Sequence, residues 1–290
     1  MRLSVVIATK DRASYLERAL ASFALQRGAP SFEVIVVDNG STDTTREVTQ
    51  TAAETSNFPI RYLFEAEPNR GKARNRGVAV AAGFIVLFCD DDVVVPPGFL
   101  AAHEAAHDRP ALVVNGAIVN VPDYEHRPMP SLANYSGAFL CTCNVSIPKA
   151  AIDAVGGFDE SFYLYGWEDT ELGVRLREGG MRRRFSWDAF LWHIKKPSDE
   201  TLEVLARKAV EKARMARRFI EKSPSSRVKA ATGAHRLNRL RAKYLLPDSL
   251  LAFYAGLAAD ERANATLRAI AQAQFLDGLY ARELFRTPEK

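Results

Sequence analysis

The chain is short of the features that mark several common protein classes. Three of its 290 residues are cysteine, Cys89, Cys141 and Cys143, and their spacing gives neither a disulfide framework nor a metal-ligand pattern. They read as small buried hydrophobes in a reducing, cytoplasmic setting. Cys141 and Cys143 alternate along an expected strand, which would place both thiols on one face. No run approaches the roughly 20 apolar residues of a membrane-spanning helix. The first apolar stretch, residues 3–8, is cut by Lys10-Asp11-Arg12 with no small-residue cleavage site after it. A first β-strand is expected there rather than a signal segment. Internal repeats and low-complexity tracts are missing, and no nucleic-acid recognition motif accompanies the mild net charge of +4.

What is present is ordinary for a soluble globular protein, with 47% hydrophobic and 26% charged residues. The length suits one large α/β domain with an extension, or two modest domains. Apolar runs predict strands at residues 3–8, 33–37, 60–64 and 84–89. Between them, Leu16, Ala19, Leu20 and Phe23 recur at helical spacing, a helix starts near Thr44, and residues 71–82 form another. Strand and helix alternating at this spacing imply right-handed crossovers and a mostly parallel sheet. Further strands are expected at 112–121, 138–147 and 185–192, with helices at 148–155 and 168–178. From residue 201 the pattern is helical, broken near Ser223-Pro224-Ser225 and at Pro247.

Three consecutive carboxylates, Asp90, Asp91 and Asp92, close the buried run 83–89. Acids at the end of a parallel strand are costly to bury unless they meet a cation. In open α/β sheets ligands bind beyond the carboxyl ends of strands. An Asp-x-Asp pair there offers hard oxygen ligands to Mg²⁺ or Mn²⁺ and leaves coordination sites for phosphate oxygens. An acidic turn capping the next helix is the alternative. The same choice applies to Asp38 and Asp43, which flank an Asn39-Gly40 turn.

Six segments in order carry a resemblance. They are residues 4–9 (Ser-Val-Val-Ile-Ala-Thr), 37–43 (Val-Asp-Asn-Gly-Ser-Thr-Asp), 69–75 (Asn-Arg-Gly-Lys-Ala-Arg-Asn), 88–92 (Phe-Cys-Asp-Asp-Asp), 156–160 (Gly-Gly-Phe-Asp-Glu) and 167–172 (Trp-Glu-Asp-Thr-Glu-Leu). Over residues 1–200 the chain resembles family 2 glycosyltransferases of the GT-A fold. The resemblance implies a Rossmann-like, mostly parallel sheet flanked by helices, with residues 201–290 as a basic helical extension. It also implies metal-dependent, inverting transfer from a nucleotide-sugar donor, usually a UDP sugar, to a saccharide or glycoconjugate acceptor hydroxyl in glycan biosynthesis. Mn²⁺ or Mg²⁺ is the implied cofactor.

The resemblance also assigns roles. Asp92 is the direct metal ligand, with His193 as a further ligand that would favour manganese. Asp90 meets the ribose or helps position the metal, while Asp91 is expected to face away, as neighbours on extended chain do. Thr9, Asp11 and Asp38 line the nucleoside pocket, Asp38 accepting from the base imide. Arg74 sits near the base or diphosphate, whereas Arg70, Lys72 and Arg76 are expected to be solvated. Asp169 is the base that takes the acceptor proton, and Glu168 binds an acceptor hydroxyl or orients Asp169. Both acids would also complement the positive end of a helix dipole. Tyr165 and Trp167 form the acceptor platform in an aromatic loop with Phe162 and Tyr163, where Gly166 permits a sharp turn.

Two rival functions fit less well. A sugar-1-phosphate nucleotidyltransferase should carry a glycine-rich loop after the first strand, where Thr9-Lys10-Asp11-Arg12 stands. A non-catalytic sugar- or membrane-binding scaffold would have no need of an intact acidic cluster and Glu-Asp pair. Residues 201–246 form a distinct electrostatic unit, with 13 Lys/Arg against three Asp/Glu. Three roles are open to that segment: packing on the core, homo-oligomerisation, or peripheral contact with an anionic inner membrane face.

Overall fold

The apolar, β-branched runs near the N-terminus become strands whose alternate residues are committed to opposite faces. In the computed structural model, which describes residues 1–196 and 201–286, β1 (Leu3–Thr9) lies between β2 (Phe32–Asp38) and β4 (Ile85–Cys89). β3 (Ile60–Phe64) flanks β2, and all three pairings are parallel. Helices α1 (Ala13–Phe23), α2 (Thr45–Thr55) and α3 (Arg70–Val80) make the crossovers that parallel strands require. Leu3, Val5 and Ile7 share a core cluster with Leu16, Leu20 and Phe23 of α1. Val6 belongs to a second cluster with Ala73 and Val78 of α3. Helix α3 comes so close to β1 that a Cβ on Gly77 would lie 2.4 Å from Val6 Cγ1.

Beyond β4 the sheet becomes mixed. The remaining elements are β5 (Val93–Val94), α4 (Phe99–Ala106), β6 (Leu112–Val121), β7 (Asn144–Pro148), α5 (Lys149–Ala154), α6 (Glu168–Glu178) and β8 (Arg182–Ile194). The eight strands run in the order β3-β2-β1-β4-β7-β6-β8-β5. β7 is antiparallel to both β4 and β6, β6 is parallel to β8, and β5 is antiparallel to β8. This arrangement carries the ends of β1, β4 and β8 and the start of α6 into one neighbourhood.

The strand expected at 138–147 begins only at Asn144. Asn115 is the reason. Its Nδ2 donates to the Phe139 carbonyl at 2.9 Å and its Oδ1 accepts from the Cys141 amide at 3.2 Å. A side chain thus satisfies backbone groups that a ladder would otherwise pair. Cys141 and Cys143 therefore do not alternate on a strand; a turn joins them, closed by Asn144 N to Cys141 O at 3.1 Å.

The chain divides into two units. One holds Met1–Tyr163 with Glu168–Lys196; the other holds Leu164–Trp167 with the chain beyond Lys196. The boundary expected at residue 200 lies outside the described residues. In the second unit α7 (Leu202–Lys222), α8 (Ser226–Ala231), α9 (Arg236–Tyr244), α10 (Asp248–Ala259) and α11 (Ala265–Leu284) follow one another. Ala213 and Ala216 of α7 pack with Leu284 of α11, and Leu246 and Leu251 pack with Ala281. Glu283 is held by Arg214 Nε at 2.9 Å and Arg217 at 3.1 Å. No helix among the described residues is long and apolar enough to cross a membrane.

Candidate active site

The loops that follow β1 and β2 form one rim because their side chains bond across the gap between them. Thr9 and Asp38 stand opposite each other in the register. The Asp38 carboxylate is buried, with Oδ1 accepting from Ser41 N and Oδ2 from the Tyr62 hydroxyl, both at 2.7 Å. Asp11 adopts a left-handed φ of 51°, a conformation Asp tolerates. Its Oδ1 accepts from Thr42 N at 2.7 Å, and its own amide donates to Ser41 Oγ at 2.9 Å. Asp43 reaches back to accept from Ala13 N at 2.9 Å. That supplies both an acceptor and a negative charge at the start of α1, where Arg12 offers no cap of its own.

At the end of β4 the chain leaves the ladder at Asp90, and strand alternation stops there. Asp91 consequently does not face away as expected. It is buried, its Oδ2 accepting from Thr9 Oγ1 at 2.6 Å and its Oδ1 from Arg12 at 3.2 Å. The same Arg12 nitrogen donates to Asp92 Oδ2 at 2.6 Å. Burial pushes the Asp91 carboxyl up to about 7, with Arg12 and Thr9 opposing. Burial also opposes ionisation of Asp92, but His193 and Arg12 outweigh it and hold that carboxyl below its ordinary range.

The second oxygen of Asp92 marks where a cation fits. Asp92 Oδ1 is buried and, among the described residues, has no hydrogen-bonding neighbour besides the His193 ring. It lies 3.1 Å from His193 Nε2. The other ring nitrogen, Nδ1, is 3.0 Å from Asn120 Oδ1, a contact that anchors the ring with Nε2 toward Asp92. A carboxylate oxygen and an imidazole nitrogen side by side, with the far ring nitrogen anchored, form a donor set that could hold a metal once Nε2 is unprotonated. Ligand atoms of Asp90, His193 and Cys143 also lie within 4.8 Å of one another. Cys143, read from the sequence as a small hydrophobe, is brought there by the turn that precedes β7.

Arg74 links this cluster to the start of α6. It is buried, with one nitrogen 3.3 Å from Glu168 Oε1 and the other 3.8 Å from Asp90 Oδ1. Lys72 and Arg76 turn instead to Glu65, at 3.1 and 3.2 Å. Asn75 fixes the 156–160 segment against α3 by pairing with the Phe158 backbone, at 2.9 Å to its carbonyl and 2.8 Å from its amide. Asn69 caps α3 and donates to the Glu160 carbonyl at 2.7 Å. Glu168 Oε2 is buried without a hydrogen-bond partner among the described residues. Both hydrogen bonds to Asp169, from the Thr170 amide at 2.6 Å and hydroxyl at 3.3 Å, fall on Oδ1. Burial first, and then the charge of Glu168, push the Asp169 carboxyl up to about 6 against the pull of Arg74.

Thr9, Arg74, Asp90, Asp92, Glu168, Asp169 and His193 all belong to the first unit, as do Asp11 and Asp38 on the rim. Tyr165 and Trp167 belong to the second. There the Trp167 indole donates to the Lys212 carbonyl at 2.9 Å and its ring lies 5.9 Å from Phe219, while Lys208 sits 5.6 Å from the Tyr165 ring. Gly166 and Trp167 both have positive φ, 91° and 75°. The second value is strained for a bulky residue and immediately precedes Glu168. Phe162 is buried in the first unit and Tyr163 is exposed.

Residues 4–159 match the model of the family described as Glycosyl transferase family 2. The chain belongs to that family. Residues 130–201 additionally match a model described as the N-terminal domain of galactosyltransferase. Validoxylamine A glucosyltransferase of Streptomyces hygroscopicus subsp. limoneus is 31% identical over 265 residues, covering 77% of this chain and 57% of that protein. Chondroitin synthase of Escherichia coli is 24% identical over 244 residues, covering 68% of this chain and 35% of the relative. The chain thus spans 57% and 61% of the two validoxylamine A glucosyltransferases that it matches. Among solved structures, a mannosyltransferase from Pyrobaculum calidifontis in complex with GDP-Man and Mn²⁺ gives a TM-score of 0.64 at 19% identity, covering 97% of this chain and 85% of that one. A fragment of S. aureus TarS in complex with UDP-GlcNAc gives 0.59 at 20% identity, covering 98% and 90%. These likenesses establish the fold, a mixed α/β sheet of GT-A type flanked by helices, with a helical C-terminal region.

Proposed function

We propose that this chain transfers a sugar from a nucleoside diphosphate sugar, with UDP the first candidate, to an acceptor hydroxyl of a saccharide or glycoconjugate with inversion at the anomeric carbon. Residues 1–200 are read as the catalytic part and 201–290 as an extension. The observation that carries the reading is the buried Asp92 Oδ1 beside His193 Nε2 at 3.1 Å, with no other hydrogen-bonding neighbour among the described residues. Asp92 and His193 would hold Mn²⁺ or Mg²⁺, with Asp90 beside them. A divalent ion bound there supplies neutralisation of the charge that develops on the diphosphate. The mixed imidazole and carboxylate donor set suits manganese better than magnesium.

The chain's own residues account for the rest of the reaction. Asp38 and Asp11 define the nucleoside rim, and Arg74 adds a fixed positive charge between donor and acceptor sides. Glu168 Oε2, buried and unpartnered, accepts from an acceptor hydroxyl. Asp169 takes the proton from the attacking oxygen as its bond to C1 forms, and the C1–O bond electrons leave with the diphosphate. A carboxyl poised at about 6 is matched to that task near neutral pH. Tyr165 and Trp167 are proposed as acceptor contacts. The three free cysteines support a cytoplasmic setting.

Metal-dependent release of nucleoside diphosphate from a panel of nucleotide sugars tests the proposal. Release with Mn²⁺ that Asp169→Asn lowers at least a hundredfold in the presence of acceptor supports it. Release that is independent of both the metal and Asp169 contradicts it.

A further inference from the structure

Helix α9 (Arg236–Tyr244) presents an apolar stripe outward. Leu237, Leu240 and Tyr244 are 75%, 54% and 64% exposed, and Leu245 directly after them is 66% exposed. Positions 237, 240 and 244 follow the three-four spacing of a single helix face. The orientation is fixed by the opposite face. Ala242 packs against the cluster of Leu246, Leu251 and Ala281, and Asn238 Nδ2 donates to the Gly233 carbonyl at 3.0 Å. Three exposed cations, Arg236, Arg239 and Lys243, flank the stripe. Residues 222–247 hold seven Lys/Arg and no Asp or Glu.

We propose that this face docks on an anionic phospholipid surface, the leucines and Tyr244 entering the headgroup boundary while Arg236, Arg239 and Lys243 meet lipid phosphates. Charge complementarity selects this occupant. A second copy meeting the same face by two-fold symmetry would bring cation against cation, with no acid in residues 222–247 to offset them. A nucleic-acid backbone would use the cations and leave three leucines in water, with a lone Tyr as the only stacking platform. A basic helix with an exposed apolar stripe has the composition that lies in a bilayer interface. The inference is independent of the proposed reaction, because it requires neither donor nor metal.

Co-sedimentation of the full chain with vesicles tests it. Vesicles of phosphatidylcholine with 30 mol% phosphatidylglycerol, as a chosen composition, are compared with phosphatidylcholine alone. At least tenfold tighter binding to the anionic vesicles is expected, weakening several-fold as salt rises from about 0.1 to 0.5 M. Leu237→Ser with Leu240→Ser should weaken binding at least tenfold while far-UV circular dichroism is unchanged. Arg236→Gln with Arg239→Gln and Lys243→Gln provides a second variant that leaves the apolar stripe intact, and it too should weaken binding. Equal binding to both vesicle types, or binding that neither variant reduces, overturns the proposal. So does a concentration-dependent dimer that the leucine variant disperses, without vesicle binding, since the face would then belong to a second copy.

Discussion

Replacing Glu168 by glutamine tests the proposed role of Asp169 as the base. Burial is the largest cause of its raised carboxyl, Glu168 the next, and Arg74 pulls the other way. Glutamine keeps the shape of the side chain and an oxygen for the Arg74 contact at 3.3 Å, but removes the negative charge. The Asp169 carboxyl should therefore acidify. Burial persists, so it should not fall all the way from about 6 to the ordinary 3.8. The acid limb of kcat/KM against pH should move down by less than about two pH units. If it moves by one, the ionised fraction at pH 5 rises from about one-tenth to about one-half, and activity relative to its own plateau rises about fivefold. Arg74→Gln should move the limb upward instead. Asp169→Asn should cost about 10²–10⁴ in rate and remove the limb. A limb that stays in place or rises in Glu168→Gln, or that survives in Asp169→Asn, refutes this assignment.

Other expectations follow from groups around the site. His103 is fully buried between Ser146 Oγ at 2.9 Å and Asn144 Oδ1 at 2.8 Å, and burial pushes its imidazole down to about 3 from 6.5. The unfolded ring binds a proton first, so its contribution is complete above pH 6.5 and is lost as pH falls from there toward 3. Urea titrations should show about 2 kcal/mol of this loss by pH 5, missing in His103→Gln; parallel pH dependences in the two proteins would contradict it. Thr9→Val removes the hydroxyl that donates to buried Asp91 at 2.6 Å and should cost about 1–3 kcal/mol, whereas a loss below about 0.5 kcal/mol would show that Arg12 suffices. A Cβ on Gly116 would lie 1.6 Å from the Ala189 carbonyl oxygen, and this backbone atom cannot swing aside. Gly116→Ala should cost more than the ~1–3 kcal/mol typical of overpacking, and a chain with unaltered thermal midpoint would show that β6 and β8 separate freely there.

Much of the frame is legible before folding because β1, β2 and β4 are buried on both faces. Runs such as residues 3–9 have no polar side, so length and flanking turns locate them. The rest depends on partners distant in sequence. Arg12 meets Asp92 across 80 positions, and nothing in Lys10-Asp11-Arg12 itself singles out the arginine that pairs with the acids. Tyr62 and Asn120 are ordinary strand residues until the register sets them beside Asp38 and His193. Asn115 erased half of an expected strand by bonding the chain at 139–141 with its side chain, and the turn that resulted placed Cys143 beside Asp90. Alternation along extended chain misled the reading of Asp91, because the backbone leaves the ladder one residue earlier. Residue type alone does not part Arg74 from Lys72 and Arg76, and the fold does: Lys72 and Arg76 pair with Glu65, while buried Arg74 meets Glu168.

The proposed transfer requires a nucleotide site whose affinity depends on a cation held by Asp92 and His193. Thermal unfolding with nucleoside diphosphates, each with and without Mn²⁺, tests it most directly. At a hundredfold excess over Kd a bound nucleotide should add about 2.7 kcal/mol of stability. Such a shift is expected for UDP, or another single nucleoside diphosphate, only when Mn²⁺ is present, and it should be lost in both Asp92→Asn and His193→Ala. Shifts that ignore the metal, or that persist undiminished in both variants, would contradict it.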